Sequence, residues 1–469
     1  MDRSLSRRDI FRAGGVLAGG ALVAGALPLR SATAMATAVT SQPATVAPAA
    51  GPPFTVMTAA TKVAARTDRR PVAGGVFDAT AGKTFICWGG KNEDTYVQSY
   101  DHVTHAWSKP AKVMSGGGDS HNYPTMVQAA DGRILIFVGT HNDQLVMARS
   151  AHAHAITGTW TTKAVKEGPA ASYPMPFKTA NGDLFVFYRE TSEEISGAPV
   201  DTRPMLYVKS TDNGVTWKSS KTLTGKPFAL GSTKRGDHLN EVYIGQLRLE
   251  PATGGRPERV HLVWTIAGGG SKKHAHDAYH KDIYYATFDP ATLGFRSVTG
   301  ADLGTQLDDG EYDKTRALTT SVTNPGGVKS PDYIQLVGWL PDGHPFLMWT
   351  TSDSKALLHN TAAVWTGSAW KTTEVATGLH TREAEQIGPT TWRVYTTIDE
   401  QPNIGTYLLE AGQTWTAENV IKTPKPVQRI EVITNFRDPA RILATGNSTA
   451  RSVSTADGDI YVAGLAVPS

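Results

Sequence analysis

The chain has 469 residues, and 46 Lys and Arg against 43 Asp and Glu leave a formal net charge of +3; that near balance, with the basic residues scattered, argues against a nucleic-acid-coating protein. A hydrophobic content of 40% excludes a disordered chain and a multi-span membrane protein. The 46 Gly, 27 Pro and 11 Trp at only 19% charged residues point to many turns and aromatic-anchored strands rather than a helical bundle, and the one cysteine, Cys87, cannot form an internal disulfide.

The chain opens on Ser6-Arg7-Arg8-Asp9-Ile10-Phe11-Arg12, with two arginines ahead of an apolar run from Gly14 to Leu29 and small residues at Ala34-Met35-Ala36. This is the layout of a secretory signal, and the paired arginines are those of the twin-arginine type. Residues 1–36 are therefore expected to be a signal peptide and 37–53, rich in Ala, Thr and Pro, a linker. The mature protein is expected outside the cytoplasm, extracellular or periplasmic, with no membrane attachment after cleavage.

From Ala73 onward one pattern recurs. Asp-Gly or Asn-Gly precedes a short β-branched or aromatic run: Asp131-Gly132 before Ile134 to Val138, Asn181-Gly182 before Leu184 to Tyr188, Asp342-Gly343 before Phe346 to Trp349, and Asp457-Gly458 before Ile460 to Val462. Such dipeptides supply the positive φ of tight hairpins. Ser210-Thr211-Asp212-Asn213-Gly214-Val215-Thr216-Trp217 matches the Asp-box, in which a carboxylate ties down a hairpin turn and the Trp packs between sheets. Weaker echoes end at Trp107, Trp160, Phe295, Trp370 and Trp415, mostly at about fifty-residue intervals, the period of a β-propeller with four strands per repeat. The expectation is an all-β fold: a single β-propeller over 54–469, with six or seven four-stranded antiparallel blades. Seven is favoured, the last closed by strands from both chain ends.

Propeller sites lie at one mouth of the central channel, so titratable residues at equivalent places in consecutive repeats are the candidates. Ser120-His121-Asn122-Tyr123-Pro124-Thr125 precedes one inner strand, and the strand after it ends at Gly139-Thr140-His141. Ser172-Tyr173-Pro174-Met175-Pro176 occupies the same place in the next repeat, which ends a strand at Tyr188-Arg189-Glu190. Arg203 and the run Lys234-Arg235-Gly236-Asp237-His238-Leu239-Asn240-Glu241-Val242-Tyr243 follow. Any single His or Tyr at a strand end is more often structural than catalytic; their recurrence is the signal.

At these residues the chain resembles the BNR-repeat polysaccharide lyases, the seven-bladed ulvan lyases and their relatives. The resemblance implies β-elimination at a uronic acid: the C5 proton is removed and the 4-linked sugar leaves, giving an unsaturated uronyl end. That chemistry needs a group to neutralise the carboxylate, a base at C5 and an acid at the leaving oxygen. Arg203 suits the carboxylate, because guanidinium presents a planar fork, and Tyr243 or His141 adds a donor. By the resemblance His121 and Tyr188 are the proton-transfer pair, His121 as base and Tyr188 as acid, with the reverse order open. Asn122, Tyr123, Arg189, Arg235 and Asn240 are expected to bind substrate. The implied partner is an anionic polysaccharide of the rhamnose–uronate kind, not nucleic acid, and the chain is expected to be a monomer.

A second cluster, His261 with His274, His276 and His280, is ligand material for a structural zinc ion. The family resemblance also implies a structural metal near here, with a cysteine among its ligands where this chain has His274. No organic cofactor is expected. Two other readings stay open: a sialidase-like glycoside hydrolase, although no Arg-Ile-Pro occurs, and a non-catalytic carbohydrate-binding propeller. A two-carboxylate glycosidase could use the acids of Asp308-Asp309-Gly310-Glu311-Tyr312-Asp313, a run expected to be an exposed loop.

Overall fold

The structure is a computed structural model, and it describes residues 51–66, 74–119, 121, 123–138, 141–191, 202–233, 235–237, 239–268, 279–320, 335–353, 357–446, 448–450 and 452–467. The expected signal peptide and nearly all of the expected linker fall outside these residues, as do Asn122, His274 and His276.

The described chain is all-β, its two α-helices spanning only Ser220–Thr224 and Tyr312–Thr315. No helix among the described residues is long and apolar enough to cross a membrane. Hairpins follow from the turn dipeptides. At Asp131-Gly132 the Gly has φ 81°, a value costly for residues with a Cβ. The turn closes with Gly132 N–H on the Ala129 carbonyl at 3.1 Å. The strand it launches, Ile134–Val138, is buried along its whole length, as is Leu184–Glu190 after Asn181-Gly182. Both faces of such strands are covered by neighbouring sheets, so they read as continuous apolar runs.

The strands group into antiparallel sheets of mostly four to six strands. The first described strand, Phe54–Ala64, pairs with the last, Gly458–Leu465, from Phe54 opposite Leu465 to Ala64 opposite Gly458. That sheet continues through Ala440–Gly446 to Val427–Arg437, and a parallel pair, Val76 with Thr434, joins it to Gly75–Asp78. Among the described residues, eight strands contribute to the lining of one cavity of about 780 Å³: the first strands of seven successive antiparallel sets, Gly75–Asp78, Thr125–Gln128, Ala171–Lys178, Glu241–Glu250, Gln335–Trp339, His380–Gln386 and Val427–Arg437, and Thr391–Thr397 through Trp392.

Apolar clusters between adjacent sheets supply the core. The Leu184, Val186 and Tyr188 face of one strand packs with Leu135, Phe137 and Leu145 of the preceding sheet, while Phe185 and Phe187 on its other face pack with Trp264 and Phe288 of the following one. Each such side chain contributes about 1.5–3 kcal/mol by leaving water. The turn after Ser210, expected to be an Asp-box, is built from side chains: Asp212 Oδ1 accepts from Thr216 N–H at 2.9 Å, Oδ2 accepts from the Thr216 hydroxyl at 2.6 Å, and Ser210 donates to Oδ1 at 2.7 Å. Trp217 then meets Phe137 edge to face at 5.6 Å. The acidic run near Asp308 departs from the exposed-loop expectation. Asp308 accepts from the Thr233 N–H and hydroxyl, Asp309 accepts from Ser232 at 3.1 Å, and both acids are half-buried. They clasp a neighbouring loop.

Candidate active site

The candidate residues gather where three strands begin: Tyr123, Tyr173 and Tyr243, at or just before the starts of Thr125–Gln128, Ala171–Lys178 and Glu241–Glu250, share one buried cluster. The short strand His141–Asp143 joins them by pairing with Ala171–Lys178, so that His141 lies opposite Ser172.

His121 and His141 stack ring on ring, with centroids 4.0 Å apart and planes 10° from parallel. Both present Nδ1 to one carboxylate: His121 to Asp119 Oδ1, and His141 to Asp119 Oδ2 at 3.1 Å. The His121 backbone N–H also donates to Asp119, at 2.9 Å. Burial alone would raise the Asp119 carboxyl, but the hydrogen bonds from His121 and His141 outweigh it and hold the group far below the usual carboxylate range. A carboxylate at Nδ1 fixes the tautomer with the proton there, which leaves each Nε2 free to accept a proton. Burial pushes His141 below the ordinary histidine value, Asp119 opposes this, and the neighbouring charges of His121 and Arg189 reinforce it.

Tyr173 faces both imidazoles, with centroids 6.2 Å from His121 and 6.0 Å from His141. It sits at a bulge between Ser172 and Met175 with φ 59°, an unusual conformation for a bulky residue and one that re-aims a side chain. Tyr123, 1% exposed, stacks beneath it at 6.4 Å and is covered by the Arg429 guanidinium at 4.3 Å. Arg189 lies between Tyr173 and Tyr243, its guanidinium carbon 4.7 and 4.6 Å from the two ring centroids. The Tyr243 hydroxyl donates to Glu241 at 3.1 Å, Arg203 Nε stands 3.8 Å from the other oxygen of Glu241, and His280 meets the Tyr243 ring at 5.0 Å.

Several expected residues stand elsewhere. Tyr188 is fully buried and faces away from this cluster; its hydroxyl donates to the Glu167 carbonyl at 2.9 Å and its ring packs with Leu145 and Leu206. Burial and the Glu190 and Glu167 charges push its pKa well above the ordinary tyrosine value. The phenol that faces the imidazoles is Tyr173. Arg189 and Tyr123 are too buried to touch a ligand broadly. The Arg235 fork is taken by Asp237 at 2.9 and 2.7 Å. Asn240 is buried with its amide, among the described residues, unmatched by a hydrogen-bond partner, while its carbonyl receives Arg203 N–H at 3.1 Å.

The histidine set for zinc does not assemble with His261. That ring uses both nitrogens, Nδ1 on the Tyr285 hydroxyl at 2.7 Å and Nε2 on Glu250 at 2.8 Å. His280 pairs with Ala267 on the same sheet, so six residues, roughly 20 Å of strand, separate it from His261. Among the described residues, Asp119, His121 and His141 form a group whose ligand atoms lie within 4.8 Å of one another. Asp119 was not singled out from the sequence, although an Asp two residues before a His is placed to accept from its N–H and ring. The large cavity is separate, lined by the later halves of the inner strands; Gln246 in its wall is three residues, about 10 Å, beyond Tyr243.

Among solved structures, the chain is similar to a PL25 ulvan lyase bound to -[GlcA(1-4)Rha3S]-, with a TM-score of 0.66 at 18% identity over 87% of this chain and 96% of that one. It is also similar to the polysaccharide lyase Uly1, with a TM-score of 0.58 at 13% identity over 86% and 91% of the two chains. In sequence it is 25% identical over 265 residues to an ulvan lyase of Alteromonas sp. (strain LOR), covering 51% of each chain. It is 26% identical over 247 residues to the ulvan lyase PL25 of Pseudoalteromonas sp. (strain PLSV), covering 47% of each. The chain thus spans about half the length of the curated relatives it matches. Residues 83–378 match the sequence model described as BNR repeat-containing family member, and the chain belongs to that family.

Proposed function

We propose that this chain is a secreted polysaccharide lyase of the ulvan lyase type, a seven-bladed β-propeller that cleaves a uronate-containing polysaccharide by β-elimination. The observation that carries the reading is the pair of stacked imidazoles, His121 and His141, fixed by the two oxygens of Asp119 and facing the Tyr173 phenol. The relatives named ulvan lyases support the substrate class, and the seven successive antiparallel sets whose first strands reach one cavity support the blade count. Export by the twin-arginine route rests on Arg7-Arg8 ahead of the apolar run. A structural zinc ion on His274, His276 and His280, without His261, rests on residue type and spacing and is read by elemental analysis of the purified protein.

In this reading His121 Nε2 takes the C5 proton. The electrons of the C5–H bond form the C4–C5 double bond, the C4–O bond breaks, and its oxygen leaves with the proton of the Tyr173 hydroxyl. The imidazolium formed at His121 is stabilised by Asp119, which orients the ring as the carboxylate of a catalytic triad does. His141 stays neutral, so two stacked cations are avoided. Arg203 offers the fork for the uronate carboxylate into which the C5 charge delocalises.

Incubation with ulvan tests this. A lyase gives ultraviolet absorbance from the conjugated unsaturated uronate with each new chain end. New reducing ends without that absorbance identify a hydrolase, and binding without either identifies a lectin.

A further inference from the structure

Asp119, His121 and His141 meet the requirements of a divalent metal centre as well as those of a proton relay. Their ligand atoms lie within 4.8 Å of one another. Two ligands about 2.1 Å from a tetrahedral ion stand about 3.4 Å apart. His141 Nδ1 is 3.1 Å from Asp119 Oδ2, close to that edge, and His121 Nδ1 contacts the other oxygen of the same carboxylate. Two imidazoles and one carboxylate suit zinc rather than magnesium or calcium, which take oxygen ligands. Three protein ligands leave a position open, and the side chains, 23%, 41% and 20% exposed for His121, Asp119 and His141, give an ion access from solvent. The Asp119 charge favours a cation beside His141 and the Arg189 charge opposes it, a balance that suits reversible rather than permanent occupancy.

We propose that Asp119, His121 and His141 form an inhibitory zinc site, in which the ion silences the base by sending its proton to the other ring nitrogen. Binding needs only these three side chains; the loss of activity rests on the lyase reading. In the zinc-free cluster Asp119 holds the proton of each ring at Nδ1 and leaves Nε2 free. Zinc takes the carboxylate and the two Nδ1 lone pairs. A neutral imidazole carries one proton, so each ring keeps its proton but at Nε2, and none is released. His121 Nε2 is then an N–H donor, with no lone pair for the proton at C5. The ion also occupies the carboxylate that otherwise stabilises the imidazolium formed in turnover. The cluster therefore has two exclusive uses, set by whether protons or a metal ion occupy the Nδ1 positions.

The test uses the full chain, cleared of exchangeable metal by dialysis against a chelator and titrated with zinc alone. The unsubstituted protein should bind one zinc ion per chain more than His141→Ala or Asp119→Ala, over any ion held by His274, His276 and His280. Nitrogen-15 NMR of the histidine-labelled, unsubstituted protein reads the same site whether or not a variant folds: the His121 and His141 rings should change from the Nδ1–H to the Nε2–H form as zinc is added. On ulvan, zinc should slow product formation by on the order of a hundredfold, and chelator should restore it. Equal zinc counts in the folded variants, or ring protons that stay in place, would overturn the site. Full activity with that ion bound would overturn its inhibitory role. Failure of the lyase reading shows separately, as the absence of ultraviolet-absorbing product from ulvan with the zinc-free protein, and the zinc count and ring protons still decide the site.

Discussion

His121 and His141 lie ring to ring, 4.0 Å between centroids, with Asp119 bridging their Nδ1 atoms. The carboxylate sets which nitrogen of each ring is free, so its loss should scramble the tautomers without removing either base. Asp119→Ala is expected to lower kcat on ulvan by on the order of a hundredfold, the scale of one general acid–base contribution, with KM little changed. Asp119→Asn retains a hydrogen-bond acceptor at one oxygen only and should fall between the two. A kcat within twofold of the unsubstituted protein for Asp119→Ala would remove Asp119 from the proton-transfer set.

Tyr173 and Tyr188 separate two kinds of tyrosine that sequence alone does not distinguish. Tyr173→Phe should abolish more than about 99% of turnover, since it deletes the phenol proposed to protonate the leaving oxygen, while the fold stays intact. Tyr188→Phe should leave kcat and KM as they are. It should lower stability by about 1 kcal/mol, because the Glu167 carbonyl at 2.9 Å loses its buried donor. Inactivity of folded Tyr188→Phe beside an active Tyr173→Phe would reverse these assignments.

Why Tyr188 and not Tyr173 stands out in the sequence has a physical cause. All seven residues of Leu184–Glu190 are buried, so there is no alternation of polar and apolar positions to reveal which face Tyr188 occupies. Tyr173 owes its direction to a bulge with positive φ, which no residue pattern announces. The recurrence of His121, Tyr173 and Tyr243 at successive inner strands was legible, because turn dipeptides and closing aromatics mark the repeat. The histidines around His261 show the opposite failure: proximity in sequence suggested shared ligation, but the strand carries His261 to the Glu250 end of the sheet and His280 to the Tyr243 end.

Asp212 tests the separation of fold from chemistry. Its carboxylate accepts from Thr216 N–H, the Thr216 hydroxyl and Ser210, in a turn between strands Met205–Ser210 and Lys218–Ser219, and those bonds hold it below the ordinary carboxylate value against burial. Asp212→Ala should lower Tm, with a loss of about 1–3 kcal/mol, and leave kcat/KM on ulvan unchanged at temperatures where the protein is folded. A parallel fall in kcat/KM would show that the turn supports the site as well as the sheet.

His261 carries the pH prediction. It is fully buried, donates through Nε2 to Glu250 and accepts at Nδ1 from Tyr285, and stacks on Trp339 at 5.0 Å. Burial pushes its pKa down to about 4, with Glu250 opposing and Arg259 reinforcing, from an ordinary value of 6.5. Between those values the unfolded chain binds a proton that the folded one refuses, so stability rises with pH there. The contribution is complete above pH 6.5 and is lost as pH falls toward about 4, by up to roughly 3 kcal/mol. His261→Gln can keep a donor for Glu250 and an acceptor for Tyr285 but cannot take up the proton. Thermal denaturation across this window should therefore give a shallower fall of Tm with acid for His261→Gln than for the unsubstituted protein. Parallel curves would mean that His261 already carries its proton in the folded state, with Glu250 as its counter-ion.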